Sequence, residues 1–214
     1  MIPIVSIVGK SDSGKTTLIE KIVPELVARG YRVATIKHDT HGFEIDREGK
    51  DSWRHRRAGA HTVVISSPRQ IAVIRDVDRD LPLAELRDRF IDDVDIIISE
   101  GFKRDVQSKI EVFRKERHSE LLCTEDDNLV AVASNRKFEL RVPCLDINDA
   151  KGLADIIEEK FLRGKREADI SLDVDGRWIP LTPFVKTFLI GTIRGMLTAL
   201  KGCENPQKIR IRIG

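Results

Sequence analysis

The stretch that decides the fold is Gly9-Lys10-Ser11-Asp12-Ser13-Gly14-Lys15-Thr16, followed directly by Thr17 and Leu18. It has the pattern G-x-x-x-x-G-K-T of a phosphate-binding loop, in which glycines let backbone N–H groups wrap around phosphate oxygens. Residues 2–8 before it are almost all apolar, which is typical of a strand buried on both faces of a parallel sheet. After it, apolar residues recur at helical spacing as far as Gly30. The segment therefore predicts a strand, a phosphate-binding loop and a helix in direct succession.

Lys15 and Thr16 have the chemistry expected of such a loop. A lysine at this position neutralises the β- and γ-phosphates, the threonine hydroxyl can ligate Mg²⁺, and the helix N-terminus adds partial positive charge. A turn that merely opens a helix is the alternative interpretation, but the eight-residue pattern agrees with both flanking segments. Lys10 either reaches a phosphate or is a solvated loop lysine. We assign nucleotide binding to Gly9, Lys10, Ser11, Asp12, Ser13, Gly14, Lys15, Thr16 and Thr17.

Composition limits the classes of function. The chain has 214 residues and is 41% hydrophobic, which is enough for one α/β domain and an appended subdomain. Its 37 basic and 35 acidic residues give a net charge of +2, so no overall field favours nucleic acid or an anionic membrane as a partner. The three cysteines lack C-x-x-C spacing, as is typical of reduced thiols. Because the apolar stretch 184–200 contains Lys186 and Arg194, it does not resemble a membrane span, and we expect a cytoplasmic protein.

Alternating strand-like and helix-like segments predict an α/β fold of the P-loop NTPase type. After the first strand, the strand candidates are 31–37, 62–66, 70–75, 94–99, 109–114 and 129–133, and helical patterns fall at 83–91 and 149–161. The economical arrangement of these segments is a mostly parallel sheet with helices on both faces.

A charged run around residues 163–167 predicts a boundary between two units. We expect a nucleotide-binding domain over residues 1–166 and a small C-terminal α+β extension over residues 167–214. Within the extension the pattern predicts a strand at 169–174, a turn at Asp175-Gly176, a short second strand, a helix at 183–200 and a final strand at 208–213.

A second segment with candidate site residues ends a buried strand with Glu100 and Gly101. In P-loop proteins an acid on the strand beside the loop orients Mg²⁺ or its water. Glu100 is therefore a candidate metal ligand together with Thr16, and a candidate catalytic residue together with Lys15. Gly101 would let the backbone approach the γ-phosphate. A strand-ending glutamate in an ordinary turn is the alternative.

A third segment, residues 37–60, begins where the second strand ends and is rich in polar residues. Because a parallel sheet binds its ligands at the carboxyl ends of strands, we expect this segment to overhang the phosphate site. Asp39 and Asp46 are candidates for supporting Mg²⁺ or a water network. His38 and His41 have metal-ligand spacing without an evident third ligand, so hydrogen-bonded loop histidines are the favoured interpretation.

Taken in order, these motifs resemble the family of molybdopterin-guanine dinucleotide biosynthesis protein B, MobB. The resemblance rests on G-x-x-x-x-G-K-T-T-L, on Lys37-His38 with Gly42-Phe43-Glu44-Ile45-Asp46, on Gly49-Lys50-Asp51-Ser52 with Ala58-Gly59-Ala60, and on Ser99-Glu100-Gly101-Phe102-Lys103. It covers about residues 2 to 165.

The resemblance implies a GTP-binding protein with weak GTPase activity, whose cofactors are GTP and Mg²⁺. Such a protein assists a MobA-type guanylyltransferase in attaching GMP to molybdopterin, which itself is a possible ligand, and it forms a homodimer. The family's phosphate loop corresponds to residues 9–17, its second-strand acids to Asp39 and Asp46, and its strand-end acid to Glu100. The guanine-binding motif N-K-x-D is missing, since Asn135 is followed by Arg136-Lys137-Phe138. Guanine preference therefore rests on the resemblance alone.

Two other functions fit the same residues. One is a small-molecule kinase with an acceptor site over residues 39–57, and the other is a dimeric adaptor whose loop hydrolyses nothing. Without an evident arginine finger, turnover by a GTPase of this kind should be slow.

Overall fold

The computed structural model describes residues 1–39, 42–164 and 170–201, together with residues 209 and 211. Its strands are β1 (Ile4–Val8), β2 (Val33–Lys37), β3 (Thr62–Ser66), β4 (Ile71–Arg75), β5 (Ile96–Glu100), β6 (Ser108–Phe113), β7 (Leu129–Ser134), β8 (Cys144–Asp146), β9 (Leu172–Val174) and β10 (Arg177–Ile179). Its helices are α1 (Lys15–Ala28), α2 (Asp51–Arg57), α3 (Leu83–Phe90), α4 (Ala150–Ile157) and α5 (Pro183–Leu197). A 3₁₀ turn covers Glu125–Asp127, and a π-helical segment, Glu158–Leu162, continues α4.

Six strands form a parallel sheet in the order β2-β5-β1-β6-β7-β8. All five residues of β1 are buried, as the apolar run before the loop predicted. Strand β1 lies between β5 and β6. Because the strands are parallel, the segments that follow β1, β5 and β6 emerge at one edge of the sheet.

Helices cover both faces of this sheet, as predicted. Val5 and Ile7 of β1 belong to a buried cluster with Leu18 and Ile22 of α1 and with residues of α4. Ile4 lies on the opposite face, because successive strand residues alternate, and packs in a cluster with Leu83 of α3. Burying each such side chain stabilises the fold by roughly 1.5–3 kcal/mol.

Strands β3 and β4 form, but as a separate antiparallel hairpin and not as part of the six-stranded sheet. Their connection is too short for the crossover that parallel neighbours require. Val63 is the one buried residue of the two strands. The three-residue strand β8 was not among the predicted elements.

The C-terminal extension packs on α3 through polar contacts. Trp178 Nε1 donates to Asp88 Oδ2 at 3.0 Å, and Arg89 Nη2 donates to the Gly176 carbonyl at 3.2 Å. The predicted hairpin around Asp175-Gly176 is present, and the predicted helix ends at Leu197 instead of residue 200. The predicted final strand at 208–213 and the predicted domain boundary at 166/167 fall outside the described residues, apart from residues 209 and 211, so the division into domains stays a prediction. Within the described part of the chain, no helix is long and apolar enough to cross a membrane.

Candidate nucleotide-binding site

The loop between β1 and α1 is tightly folded. Gly9 and Gly14 have φ angles of 152° and 97°, in the region that favours glycine. A Cβ atom at Gly9 would lie 2.6 Å from Ser13 Oγ and 2.6 Å from the Val112 carbonyl oxygen. A side chain therefore cannot fit at Gly9 without displacing the loop or β6. This close backbone packing is what a loop needs to aim several N–H groups at one anion.

Lys15 spans the inside of the loop. Its Nζ donates to the carbonyl of Lys10 at 2.9 Å and to that of Gly9 at 3.3 Å. The ammonium group therefore lies beside the first residues of the loop at the N-terminus of α1. Backbone N–H groups, the helix dipole and this cation together make the position favourable for a phosphate group.

Thr16 and Glu100 meet at the side of the loop next to β5. Thr16 Oγ1 lies 2.9 Å from Glu100 Oε1 and 3.0 Å from Glu100 Oε2. Hydroxyl and carboxylate oxygens are the ligands that Mg²⁺ prefers, so these two residues fit the ion. Among the described residues there is no group of three or more His, Cys, Asp or Glu side chains placed to hold a metal.

The turn after Glu100 is attached to both neighbouring strands. Gly101 N donates to the Ile7 carbonyl of β1 at 3.1 Å. We expected the Gly101 backbone near a γ-phosphate, and its N–H is hydrogen-bonded to β1 instead. His38 stacks on Phe102 with ring centroids 4.6 Å apart, and its Nε2 lies 2.8 Å from Asp80 Oδ2. His38 is therefore a hydrogen-bonded loop histidine, while His41 lies outside the described residues.

The acid-rich segment after β2 contains two of the candidate residues, Asp39 and Asp46. Asp39 is exposed directly beyond the end of β2. Asp46 accepts a hydrogen bond from Ser52 Oγ at 2.8 Å, and its Oδ2 is buried without a partner among the described residues. Asp46 thus ties the segment to the start of α2, a role that the sequence did not indicate.

Two residues that the sequence analysis missed contact the loop from the β6 side. Arg114 Nε donates to the Ser13 carbonyl at 3.0 Å, and His118 Nε2 lies 3.0 Å from the Ser11 carbonyl oxygen. Both are about a hundred positions away along the chain, so no local motif identifies them. The available signal was topological, because Arg114 ends a predicted strand at the ligand-binding edge of the sheet.

Asn135 follows β7 at the position where a guanine-binding motif would begin, but its side chain is engaged elsewhere. Its Oδ1 accepts from Lys115 N at 2.9 Å, and its Nδ2 donates to Glu116 Oε2 at 2.7 Å. The hydrogen bond from Asn135 lowers the pKa of Glu116 below its ordinary value. Asn135 therefore holds the turn after β6.

A parallel sheet in this strand order, with a G-x-x-x-x-G-K-T loop after its central strand and an acid ending the adjacent strand, defines a P-loop NTPase fold. The particular family follows from comparison with known proteins. The profile of the family described as "Molybdopterin guanine dinucleotide synthesis protein B" matches residues 4–135. The chain belongs to this family, MobB.

Individual relatives agree with the family assignment. A protein of Haemophilus influenzae named "Molybdopterin-guanine dinucleotide biosynthesis adapter protein" is 40% identical over 158 residues, which are 73% of this chain and 88% of that protein. The crystal structure of Bacillus subtilis MobB is 28% identical, with a TM-score of 0.62, and the match covers 76% of this chain and all of that one. A relative from Methanocaldococcus jannaschii is 28% identical over 98% of this chain and 97% of its own length. The match to the archaeal protein therefore extends into the C-terminal extension.

Proposed function

We propose that this protein binds GTP with Mg²⁺, hydrolyses it slowly, and acts as an adapter for a MobA-type guanylyltransferase in molybdopterin-guanine dinucleotide biosynthesis. The observation that carries the nucleotide part is the pairing of Thr16 with Glu100 beside a loop whose lysine donates to the Lys10 and Gly9 carbonyls. Membership of the MobB family and the name of the Haemophilus influenzae relative support the pathway.

Each residue has one part in this proposal. Lys15 and the loop amides bind the β- and γ-phosphates and offset their charge. Thr16 and Glu100 would hold Mg²⁺, which when bound supplies further positive charge at the phosphates. Catalysis would therefore consist of positioning and charge neutralisation, which is consistent with slow turnover.

The test is a titration of the full-length protein with GTP and ATP, each with and without Mg²⁺, followed by measurement of phosphate release with and without molybdopterin and the guanylyltransferase. We expect GTP to bind more tightly than ATP, and Mg²⁺ to strengthen binding. Glu100→Gln should remove most of the Mg²⁺ effect, since the amide can still accept the Thr16 hydrogen bond but has no charge. Glu159→Gln, a change at an exposed residue outside the candidate site, is the matched control.

Three results would contradict parts of the proposal. Tighter binding of ATP than GTP would rule out the guanine preference. Phosphate found on a small acceptor instead of in solution would identify a kinase. Binding without hydrolysis under every condition would leave a non-hydrolysing adaptor.

We also propose that the chain forms a homodimer through the hairpin of β3 and β4. The register puts Val64 and Val73 directly opposite each other, with Ile71 on the same face, and their exposed fractions are 59%, 53% and 71%. Contiguous exposed apolar faces are uncommon on monomers and usually mark interfaces.

Sedimentation velocity at several protein concentrations tests the dimer. Val73→Lys should shift the protein towards the monomer, whereas Val106→Lys, at a position 78% exposed on a separate loop, should leave the association unchanged. A wild-type protein that sediments as a monomer at all concentrations, or equal effects of the two substitutions, would contradict this interface.

A further inference from the structure

The turn that follows β6, residues 114–118, has two contacts with the phosphate loop that the proposed phosphate chemistry does not use. Arg114 donates through Nε to the Ser13 carbonyl, and His118 lies within hydrogen-bond distance of the Ser11 carbonyl. The guanidinium also lies over Gly14, where a Cβ would be 3.1 Å from both Nε and Nη2. A planar cation therefore rests against the loop immediately before α1 begins.

The position of this turn separates it from the magnesium-binding pair. β5 and β6 flank β1 on opposite sides, so Glu100 at the end of β5 and Arg114 just after β6 lie on opposite sides of the loop. The β- and γ-phosphates belong with Lys15, Thr16 and Mg²⁺. Arg114 is therefore on the side of the loop where it can contact parts of a nucleotide other than its Mg²⁺-bound phosphates.

Hydrogen bonds within the turn and with Asn135 hold the turn in place. The backbone N–H groups of Arg117 and His118 both donate to the Arg114 carbonyl, and Asn135 binds Lys115 N and the Glu116 carboxylate. Such a fixed arrangement suits recognition of a ligand, since little order has to be gained on binding.

We propose, building on the nucleotide binding proposed above, that Arg114 contacts the nucleoside-monophosphate half of the bound nucleotide. One guanidinium N–H donates to the Ser13 carbonyl and one face lies over Gly14, so the other donors and the opposite face are left for the ligand. A guanidinium can donate to an α-phosphate oxygen and stack on a purine ring, which a lysine cannot do in the same way. Arg114 is therefore a determinant of nucleotide binding on the side of the loop opposite Thr16 and Glu100.

Isothermal titration of the full-length protein with Mg²⁺ complexes of GTP, GDP and inorganic pyrophosphate tests this assignment. Pyrophosphate supplies two phosphates for the loop but has no nucleoside monophosphate. Arg114→Met should weaken GTP and GDP binding by similar factors, roughly 10- to 100-fold, as expected for hydrogen bonds to a charged group. Pyrophosphate affinity should change less than about twofold if the contact is with the nucleoside-monophosphate half.

Two further variants make the result specific. Arg117→Met makes the same change of charge at an exposed position of the same turn and should leave all three affinities within about twofold. Arg114→Lys keeps the cation and a donor for the Ser13 carbonyl, but it lacks the planar group, so it should also lose nucleotide affinity selectively. This variant decides the question if Arg114→Met does not fold.

The outcomes separate this inference from the function on which it rests. If replacing Arg114 weakens pyrophosphate as much as GTP, the guanidinium only shapes the loop and the assignment is wrong. Unchanged GTP affinity would also overturn it. A wild-type protein that binds neither nucleotide would overturn the proposed function as well.

Discussion

Replacing Gly9 with alanine should destabilise the protein and disable the phosphate loop, for reasons that can be worked out from distances. The new methyl group would lie 2.6 Å from the Val112 carbonyl oxygen, where ordinary contact begins at 3.4 Å. Since Val112 is in a buried strand, the loop has to move instead. We expect a cost of about 1–3 kcal/mol for the backbone conformation and about 1–3 kcal/mol for overpacking.

The matched control is Gly30→Ala. Gly30 also has a positive φ, of 89°, but no atom lies within 4 Å of its Cβ position, so only the backbone cost of about 1–2 kcal/mol applies. Urea denaturation gives both free energies of unfolding, and titration with Mg²⁺ and tripolyphosphate reports on the loop. We expect Gly9→Ala to be the more destabilising change by about 1–3 kcal/mol and to lose tripolyphosphate binding. An equal or smaller loss of stability than for Gly30→Ala, with binding intact, would refute the steric reasoning.

Three further predictions concern Lys15, Glu158 and Cys123. Lys15→Met should weaken triphosphate binding roughly 10- to 100-fold, and unchanged affinity in a calorimetric titration would contradict its phosphate contact. Hydrogen bonds from Arg29 and Tyr31 lower the pKa of Glu158 below its ordinary value of 4.5. The ionised Glu158 carboxylate therefore stabilises the protein above this ordinary value, and the stabilisation is lost as the pH falls through the lower pKa of the folded state. The urea midpoint of Glu158→Gln should therefore fall less steeply in acid than that of the wild type. Burial and the nearby Glu111 charge raise the pKa of Cys123 to about 12, so peptide mapping after brief iodoacetamide treatment at pH 8 should find Cys123 unmodified until the protein unfolds.

The sequence was sufficient for the parts of the site that one contiguous segment encodes. The loop at residues 9–16 and the strand before it could be predicted because their pattern reflects local requirements, namely glycines at positive φ and an apolar run for a buried strand. The approach of Glu100 to Thr16 could be predicted as well, since a parallel sheet aligns the ends of adjacent strands.

Contacts that depend on how side chains meet across the fold could not be predicted in this way. Nothing in the local sequence distinguishes Arg114, which reaches Ser13, from Arg117, which is exposed. The residues of β3 and β4 are as strand-like as those of the central strands. Only the short connection between β3 and β4 indicates that the two strands form a hairpin and not parallel members of the sheet. Asn135 was considered only as part of a missing guanine-binding motif, whereas it supports the turn after β6.

The described contacts of the C-terminal extension are with α3. The extension contacts α3 through Asp88 and Arg89, and α3 packs on the face of the sheet opposite α1. The matched family region, residues 4–135, already contains the loop, Glu100 and Arg114. We therefore expect changes in the hairpin of β9 and β10 to have little effect on the phosphate loop. Trp178→Phe, which removes the hydrogen bond to Asp88, should accordingly loosen the extension towards proteases while GTP affinity stays within about twofold. A large loss of affinity in that variant would show that the extension contributes to the site.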